Sequence, residues 1–421
     1  MVTEQILKAA LAQPEDEDLA VMRLSLIDWM ACGLAGRNEP VSKITRALVM
    51  EEGGTPQATL FGGGRVPARS AALANGASSH ALDYDDTHFA HIGHPSVAVI
   101  PAALALAERQ ALDFEAMTRA ALAGCEASVR FGLLFGRQHY QQGFHQTATA
   151  GAFGATLAAC HALGLGGTET THAIGLVSTR ASGLKSQFGT MGKPYNAGIA
   201  AANGVEAAML AALGFVSDPN AIGAVNGFLQ THHCDGVEEQ HSGFLMTGVS
   251  HKFHACCHGL HATLEAMAGL GPMSSDQIVK IEIFTHPRWM TVCNQMQPDT
   301  GLGAKFSYRT VAAFAVLGIS TAALNTFDDT HCRRTDVIAL RDRVTVTADE
   351  GLSEMQARVR VHGPDGPQEA FHDLDRPLSY DQRRQRILAK AAALIGENRA
   401  IRLAEAVDAG DLPAFLSIMA T

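Results

Sequence analysis

Apolar residues recur at three- and four-residue spacing up to about residue 270, which is the pattern of helices that bury one face. Many of these segments end at a glycine, as at Gly164, Gly214 and Gly269, in the way that helix C-termini often do. The pattern predicts helices over 16–34, 40–50, 67–82, 95–110, 114–135, 146–163, 169–178, 195–214 and 253–269.

The pattern changes near Gly271-Pro272, where apolar and polar residues begin to alternate as they do in strands. Strands are predicted at Ile278–Phe284, Val344–Thr347 and Ala357–Val361, and helices between them over 307–318 and 335–342. Residues 379–419 return to helical spacing. The sequence therefore predicts a mainly α protein with a helical domain, residues 1–270 together with 379–421, and a smaller α+β domain, residues 271–378.

The composition agrees with close helix packing. The 421 residues are 47% hydrophobic but only 6% aromatic, and 41 of them are glycine. Small side chains allow helices to approach each other closely. The length suffices for one large domain or two ordinary ones.

Charge and cysteine content narrow the functional class. The net charge of −10 argues against a nucleic-acid or anionic-membrane partner, because both require a basic face. The N-terminal segment lacks the features of a signal peptide, and no apolar stretch is expected to reach the roughly 18 residues of a membrane span. The eight cysteines form no CxxC pair, which suits a reducing compartment. A cytoplasmic protein is expected.

Titratable groups are concentrated at residues 83–95. Three aspartates, a threonine and three histidines fall within thirteen positions of a chain that is only 18% charged. Polar groups beside apolar sequence cost desolvation free energy unless they are used or satisfied. This segment is therefore the first candidate for chemistry.

Four basic side chains stand just ahead of predicted helices: His94, His145, Lys193 and Lys252. A helix N-terminus presents unpaired N–H groups and the positive end of the helix dipole. Each residue alone has an ordinary explanation as a cap or a solvated side chain. Together they predict an anion site for a small substrate with two or three carboxylates.

Metal and cofactor sites are the alternatives to an anion site. His88, His91 and His94 recur every three residues, and the histidines between 251 and 261 have helical spacing that could hold a metal. However, the chain has no HExxH motif, no suitable set of three cysteines for an iron–sulfur cluster and no nucleotide-binding glycine motif. Neither a metal nor a cofactor is predicted.

Several ordered motifs carry a resemblance to a known family. They are Asn75-Gly76, His80–Thr87, Gly93–Ser96, Gly143-Phe144-His145 with Thr147, Gly189-Thr190-Met191 with Lys193-Pro194, Lys252 with Cys256-Cys257 and His261, and Ala304–Ser307. Over nearly its whole length, the chain resembles the MmgE/PrpD family, which includes 2-methylcitrate dehydratase, cis-aconitate decarboxylase and iminodisuccinate epimerase.

The resemblance implies a large helical domain built from both termini, a smaller α+β lid domain, a homodimer and a metal-free active site in the cleft between the domains. The active-site positions that it implies are Asp83, Thr87, His94, His145, Lys193 and Lys252. Two positions depart from the family pattern: His258 replaces an arginine after the paired cysteines, and Thr310 replaces a tyrosine, while Tyr308 lies two residues earlier.

The chemistry expected of such a site is proton movement at a carbon next to a carboxylate. His94 or His145 would be the general base, with Asp83 orienting the imidazole. The other histidine, Tyr308 or Lys252 would supply a proton.

Negative charge on the substrate would be held by Thr87, Lys193, Lys252 and His258. The expected function is a lyase that acts on a small di- or tricarboxylate, most simply a 2-methylcitrate dehydratase-like hydro-lyase. A decarboxylase, an epimerase or a non-catalytic polycarboxylate-binding protein are the alternatives.

Overall fold

The computed structural model describes residues 2–236 and 241–421, which form two compact units. The larger unit consists of Met1–His251 and Ile387–Thr421, and the smaller unit of Lys252–Arg386. The predicted fold class, mainly α with a smaller α+β unit, is confirmed. The division falls at other residues than predicted, because the helix over residues 261–269 packs on strands of the smaller unit.

The helices are named in chain order. They are α1 (Val2–Ala10), α2 (Asp16–Gly36), α3 (Pro40–Glu52), α4 (Ala68–Ser79), α5 (Pro95–Gln110), α6 (Phe114–Gln141), α7 (Gln146–Leu163), α8 (Gly167–Val177), α9 (Gly192–Ala212), α10 (Phe228–Thr231), α11 (His261–Gly269), α12 (Pro287–Val292), α13 (Gly301–Ala304), α14 (Tyr308–Val316), α15 (Asp329–Cys332), α16 (Thr335–Arg341), α17 (Tyr380–Ile395), α18 (Glu397–Asp408) and α19 (Leu412–Met419).

The strands form two separate sheets. They are β1 (Ala58–Thr59), β2 (Arg65–Val66), β3 (Lys280–Thr285), β4 (Val344–Ala348), β5 (Gln356–Gly363) and β6 (Gly366–Asp373). β1 and β2 form a small antiparallel pair. The sheet of the smaller unit has the order β4-β3-β5-β6, in which only the β3–β4 pair is parallel. The sequence pattern missed β6, because its residues lack the apolar alternation that marks β5.

The helix predicted over 253–269 is wrong in its first half, since the α-helix begins only at His261. The amide of Ala255 donates to the carbonyl of Thr321 at 2.7 Å, and the amide of Cys257 donates to that of Lys305 at 3.0 Å. These amides therefore bond to other loops of the smaller unit instead of to carbonyls four residues back. The helix predicted over 114–135 continues to Gln141 across a kink at Gly136, whose φ is 73°.

Small residues allow the helices of the larger unit to lie very close together. A Cβ added at Gly198 on α9 would lie 2.3 Å from the carbonyl oxygen of Leu73 on α4, and one added at Gly76 would lie 2.8 Å from the Cα of Gly198. Helix α7, rich in alanine, is buried along nearly its whole length. This close packing sets the distance between the loop that follows α4 and the first turn of α9.

Helix α2 is long and apolar enough to cross a membrane by length and composition, so the sequence expectation that no stretch reaches this length was wrong. In the structure, 83% of its most apolar 18-residue window is buried inside the protein. Buried core helices meet the same criterion. Helix α2 here serves as a core helix of the larger unit.

We expect Gly198→Ala to lower the free energy of unfolding by about 1–3 kcal/mol, because the new methyl group must push α4 away from α9. Urea denaturation followed by circular dichroism measures the change. Gly167→Ala is the matched control, since a Cβ there meets no atom within 4 Å. Equal midpoints for the two variants would contradict the close-contact explanation.

Candidate active site

Backbone hydrogen bonds hold the loop between α4 and α5 at its middle and at its end next to α5. Thr87 exchanges hydrogen bonds with Ser250, with its amide donating at 2.9 Å and its carbonyl accepting at 2.7 Å. The amide of His94 donates to Thr147 Oγ1 at 3.1 Å, which ties the start of α5 to the start of α7. Asp83 adopts the left-handed conformation with a φ of 52°, which is uncommon outside glycine. The loop thus has one defined path between the helices.

Asp85 is the centre of the polar network in this loop. One of its carboxylate oxygens lies 3.0 Å from His80 Nδ1, and the other lies 2.7 Å from His94 Nδ1. Burial alone would raise the pKa of Asp85, but the charges of His80 and His94 and their hydrogen bonds hold it well below its usual value. A buried, ionised Asp85 therefore orients the His94 ring and leaves Nε2 facing away from it. The sequence analysis assigned this orienting role to Asp83 instead.

Asp83 has a different partner set. Its Oδ1 lies 2.7 Å from Lys193 Nζ and 3.3 Å from His94 Nε2, and its side chain is 50% exposed. Asp83 is therefore an accessible carboxylate held between an ammonium group and an imidazole. The same two donors would be available to a carboxylate of a bound molecule.

His145 is the N-cap residue of α7 and is almost fully buried. Asn196 Nδ2 lies 3.3 Å from His145 Nδ1, and the Phe188 ring packs edge-on against the imidazole at 5.0 Å between centroids. Burial, followed by the positive charge of Lys193, lowers the pKa of His145 well below its usual value. A neutral His145 that accepts from Asn196 at Nδ1 carries its proton on Nε2.

Three of the four predicted helix starts come together. His94 caps α5, His145 caps α7, and Lys193 lies in the first turn of α9. The His80 ring lies 4.6 Å from the His94 ring and 6.0 Å from the His145 ring, measured between centroids. The prediction for Lys252 was wrong in this respect, because no helix begins behind it.

Lys252, His258 and Tyr308 belong to the smaller unit. In that unit, the pKa of His261 is lowered by burial first and then by the charges of His258, His254 and Lys252. Basic groups are therefore concentrated around His261. The Tyr308 hydroxyl donates to the Gly259 carbonyl at 2.7 Å and lies 2.8 Å from Thr285 Oγ1, and the side chain is fully buried. This geometry favours a structural role for Tyr308 over the predicted one of proton donor.

The positions of the histidine and carboxylate donor atoms show whether they could hold a metal ion. His88 Nε2 faces the Leu245 carbonyl, His91 Nε2 faces Ser128 Oγ and His94 Nδ1 faces Asp85, so this series does not converge. A different group, His80 with Asp83, Asp85 and His94, has ligand atoms within 4.8 Å of one another. Asp85 already bonds both imidazoles, and the Lys193 ammonium lies against Asp83, so the arrangement fits a hydrogen-bond network better than a cation site.

A buried ion pair that the sequence analysis missed holds the backbone of this loop in place. Lys390 on α17 lies 2.5 Å from Asp28 on α2 and donates to the Tyr84 carbonyl at 2.5 Å. Both charged side chains are about 1% exposed. The Tyr84 carbonyl stands between Asp83 and Asp85, so the pair fixes the backbone that carries both carboxylates. In the sequence, this ion pair is indicated only by a lysine in the middle of the apolar run 387–395.

Asp86 has the third carboxyl of the loop in a third environment. It is buried, and Ser96 Oγ donates to its Oδ2 at 2.5 Å. Burial, together with the nearby negative charge of Asp28, raises the pKa of Asp86 to about 7. Asp86 is therefore a structural carboxyl that is protonated over much of the acidic range.

Comparison with known proteins shows the family of this chain. The MmgE/PrpD N-terminal domain model matches residues 2–240, and the MmgE/PrpD C-terminal domain model matches residues 254–408. The chain belongs to the MmgE/PrpD family. The resemblance drawn from the motifs is thus confirmed.

This MmgE/PrpD chain is similar to proteins named cis-aconitate decarboxylase or cis-aconitate decarboxylase-like. It is 26% identical to the cis-aconitate decarboxylase-like protein oryM of Aspergillus oryzae, over 93% of this chain and 91% of the relative. It is 26% identical to cis-aconitate decarboxylase of Aspergillus terreus, over 88% and 84% of the two chains. It is 30% identical to cis-aconitate decarboxylase of Homo sapiens, over 48% and 44%. These similarities support a lyase and favour the decarboxylase alternative over the expected dehydratase.

We expect Asp86→Asn to change how stability depends on pH. The folded-state pKa of about 7 exceeds the ordinary value of 3.8, so this carboxyl contributes stability that is complete below about pH 4 and is lost as the pH rises through about 7. The variant removes that loss, so its stability relative to the wild type should increase between about pH 4 and pH 7. Denaturation midpoints across this range measure it, with the exposed Asp299→Asn as the control. Parallel pH profiles for Asp86→Asn and the wild type would refute the explanation.

We expect Lys390→Met to lower the free energy of unfolding by about 3–5 kcal/mol, because it leaves Asp28 buried without its cation. The double variant with Asp28→Leu should recover a large part of this loss. Chemical denaturation of both single variants and the double variant gives the coupling free energy. The exposed Lys8→Met serves as the control, and additive single effects would contradict a direct interaction.

Proposed function

We propose that this protein is a carboxylate lyase that decarboxylates a small, cis-aconitate-like tricarboxylate. The observation that carries the proposal is the Asp85–His94 pair facing the Lys193 ammonium at converging helix N-termini. The decarboxylase relatives, two of which match over most of this chain, support this reaction over dehydration of 2-methylcitrate.

Substrate carboxylates would bind where the positive potential is greatest. Lys193 supplies an ammonium group, and the first turns of α5, α7 and α9 supply the positive ends of helix dipoles. Asp83 Oδ1 already lies within reach of Lys193 and His94 and marks a position that an anionic oxygen can occupy. His145, with its proton on Nε2, would donate a hydrogen bond to a second carboxylate.

The reaction needs one bond broken and one proton delivered. The C–C bond to the departing carboxylate breaks, CO2 leaves, and its electron pair forms a new double bond as the existing one shifts. The carbon at the far end of the shifted double bond then takes a proton. His94 would deliver that proton from Nε2, because the ionised Asp85 stabilises the protonated ring through Nδ1. Asp85 itself remains ionised throughout.

The remaining site assignments are carried over from the family. Thr87, Lys252 and His258 are proposed carboxylate contacts, whereas Tyr308 is not retained as a proton donor because its hydroxyl is fully engaged. A homodimer in the cytoplasm that requires no metal and no nucleic-acid or membrane partner is also proposed. Full activity after treatment with a chelator would support metal independence.

We expect purified wild type to release CO2 from cis-aconitate, and His94→Gln to lose about 10²–10⁴-fold in kcat, because the proton donor is gone. Proton NMR in deuterated water follows the product and shows which carbon receives the deuteron. His161→Gln, an exposed position at the end of α7, is the matched control and should retain activity. Circular dichroism establishes that both variants are folded.

The same experiment distinguishes the competing reactions. Loss of water from 2-methylcitrate with no CO2 from cis-aconitate would replace the decarboxylase with the dehydratase. Deuterium exchange or inversion without any loss of mass would indicate an epimerase. Near wild-type turnover by His94→Gln would refute the proposed proton donor.

A further inference from the structure

One cavity in the larger unit is lined by basic side chains that the proposed reaction does not use. It has a volume of about 500 Å³ and lies where the end of α2, helix α3 and the turn between β1 and β2 meet. Arg37, Lys43 and Arg46 supply its charge, while Met50, Phe61 and Gly62 form part of its wall. Cavities of this size hold small molecules.

Both arginines are oriented by single hydrogen bonds to the backbone. Arg37 Nη1 donates to the Leu34 carbonyl at 2.9 Å, and Arg46 Nη2 donates to the Gly63 carbonyl at 2.7 Å. A guanidinium has five N–H donors, so each group keeps most of its donors for another acceptor. Arg46 Nε is buried and has no hydrogen-bond partner among the described residues. The side chains are therefore fixed in place and incompletely satisfied.

The basic side chains of this cavity are not paired with carboxylate side chains. Its lining contains no aspartate or glutamate, although it includes Thr421, the last residue of the sequence, and within residues 2–236 and 241–421 Arg37, Lys43 and Arg46 form no salt bridge. Other arginines of the same unit do: Arg23, Arg65, Arg69 and Arg180 each lie within 2.9 Å of a glutamate oxygen. The contrast is notable in a chain whose net charge is −10.

The accumulated positive charge has a cost that a ligand would offset. Burial, and then the charge of nearby Arg399, lower the pKa of Arg37 from its ordinary value. Like charges held together in partly desolvated surroundings destabilise the protein until an anion neutralises them. Two guanidinium groups with an adjacent ammonium match the several oxygen atoms and the double negative charge of a phosphate group.

We propose that this cavity, named here the Arg37–Arg46 cavity, binds the phosphate group of a phosphorylated small molecule. The proposal is independent of the decarboxylase assignment, because no residue of the Asp85–His94 network lines the cavity. The apolar wall formed by Met50 and Phe61 would contact the remainder of the molecule. Such a ligand would be an effector or a second substrate, and not the tricarboxylate.

Titration calorimetry with inorganic pyrophosphate at low ionic strength tests the proposal on the full-length protein. We expect binding to the wild type, weakened about tenfold or more by Arg46→Gln and abolished by Arg37→Gln with Arg46→Gln, because each variant removes charge-assisted hydrogen bonds to the anion. Arg137→Gln is the matched control, since Arg137 is exposed, lies outside the lining and loses the same charge. It should bind as the wild type does. Thermal unfolding establishes that all variants are folded.

The outcomes that overturn the proposal are distinct. No binding of pyrophosphate to the wild type, or equal binding by the double variant, removes the site. Binding of citrate but not of pyrophosphate at these arginines removes the phosphate assignment. A change in molecular mass of the double variant without any anion binding by the wild type would identify the surface as a contact between copies. None of these results alters the test of CO2 release, which depends on His94.

Discussion

The buried charge of Asp85 is the constraint on which the candidate site depends. A carboxylate that is 1% exposed is tolerated only because two imidazoles contact its two oxygens. Asp83 and Asp86, its neighbours on the loop, lie in two other environments. Asp83 turns outward in the left-handed conformation to meet Lys193, while Asp86 is buried against Ser96 with a raised pKa. Three acids within four positions thus acquire three different properties from their surroundings.

Close helix packing is what allows these groups to meet. The glycine contacts between α4 and α9 bring the loop behind α4 next to the first turn of α9. The hydrogen bond from the His94 amide to Thr147 couples the starts of α5 and α7 in the same way. Bulky residues at these contacts would separate the helix ends, and the potential from several dipoles would no longer add at one place. The abundance of alanine and glycine therefore matters for the chemistry of the site as well as for the fold, because it lets the helix ends come together.

Much of this arrangement follows from local sequence. Pro95 directly after His94 and the alanine-rich run after His145 mark helix starts, and both histidines are indeed N-cap residues. Local pattern fails where long-range contacts decide the structure. The apolar segment after Lys252 has helical spacing, yet its amides bond to distant loops and the helix starts late. The choice between Asp83 and Asp85 as the partner of His94 Nδ1 likewise depends on burial, which spacing alone does not report.

The Lys390 contact has a consequence for how the protein is made. Lys390 lies 306 residues after Tyr84, whose carbonyl it binds. On the ribosome, His80 through Lys193 emerge long before α17 is synthesised, and until then Asp28 lacks its cation and the Tyr84 carbonyl lacks its donor. Domains assemble from the N-terminus as translation proceeds, yet here one of the last helices completes a segment translated early. A chain truncated before α17 would therefore contain every residue of the Asp85 network without the support that holds it in shape.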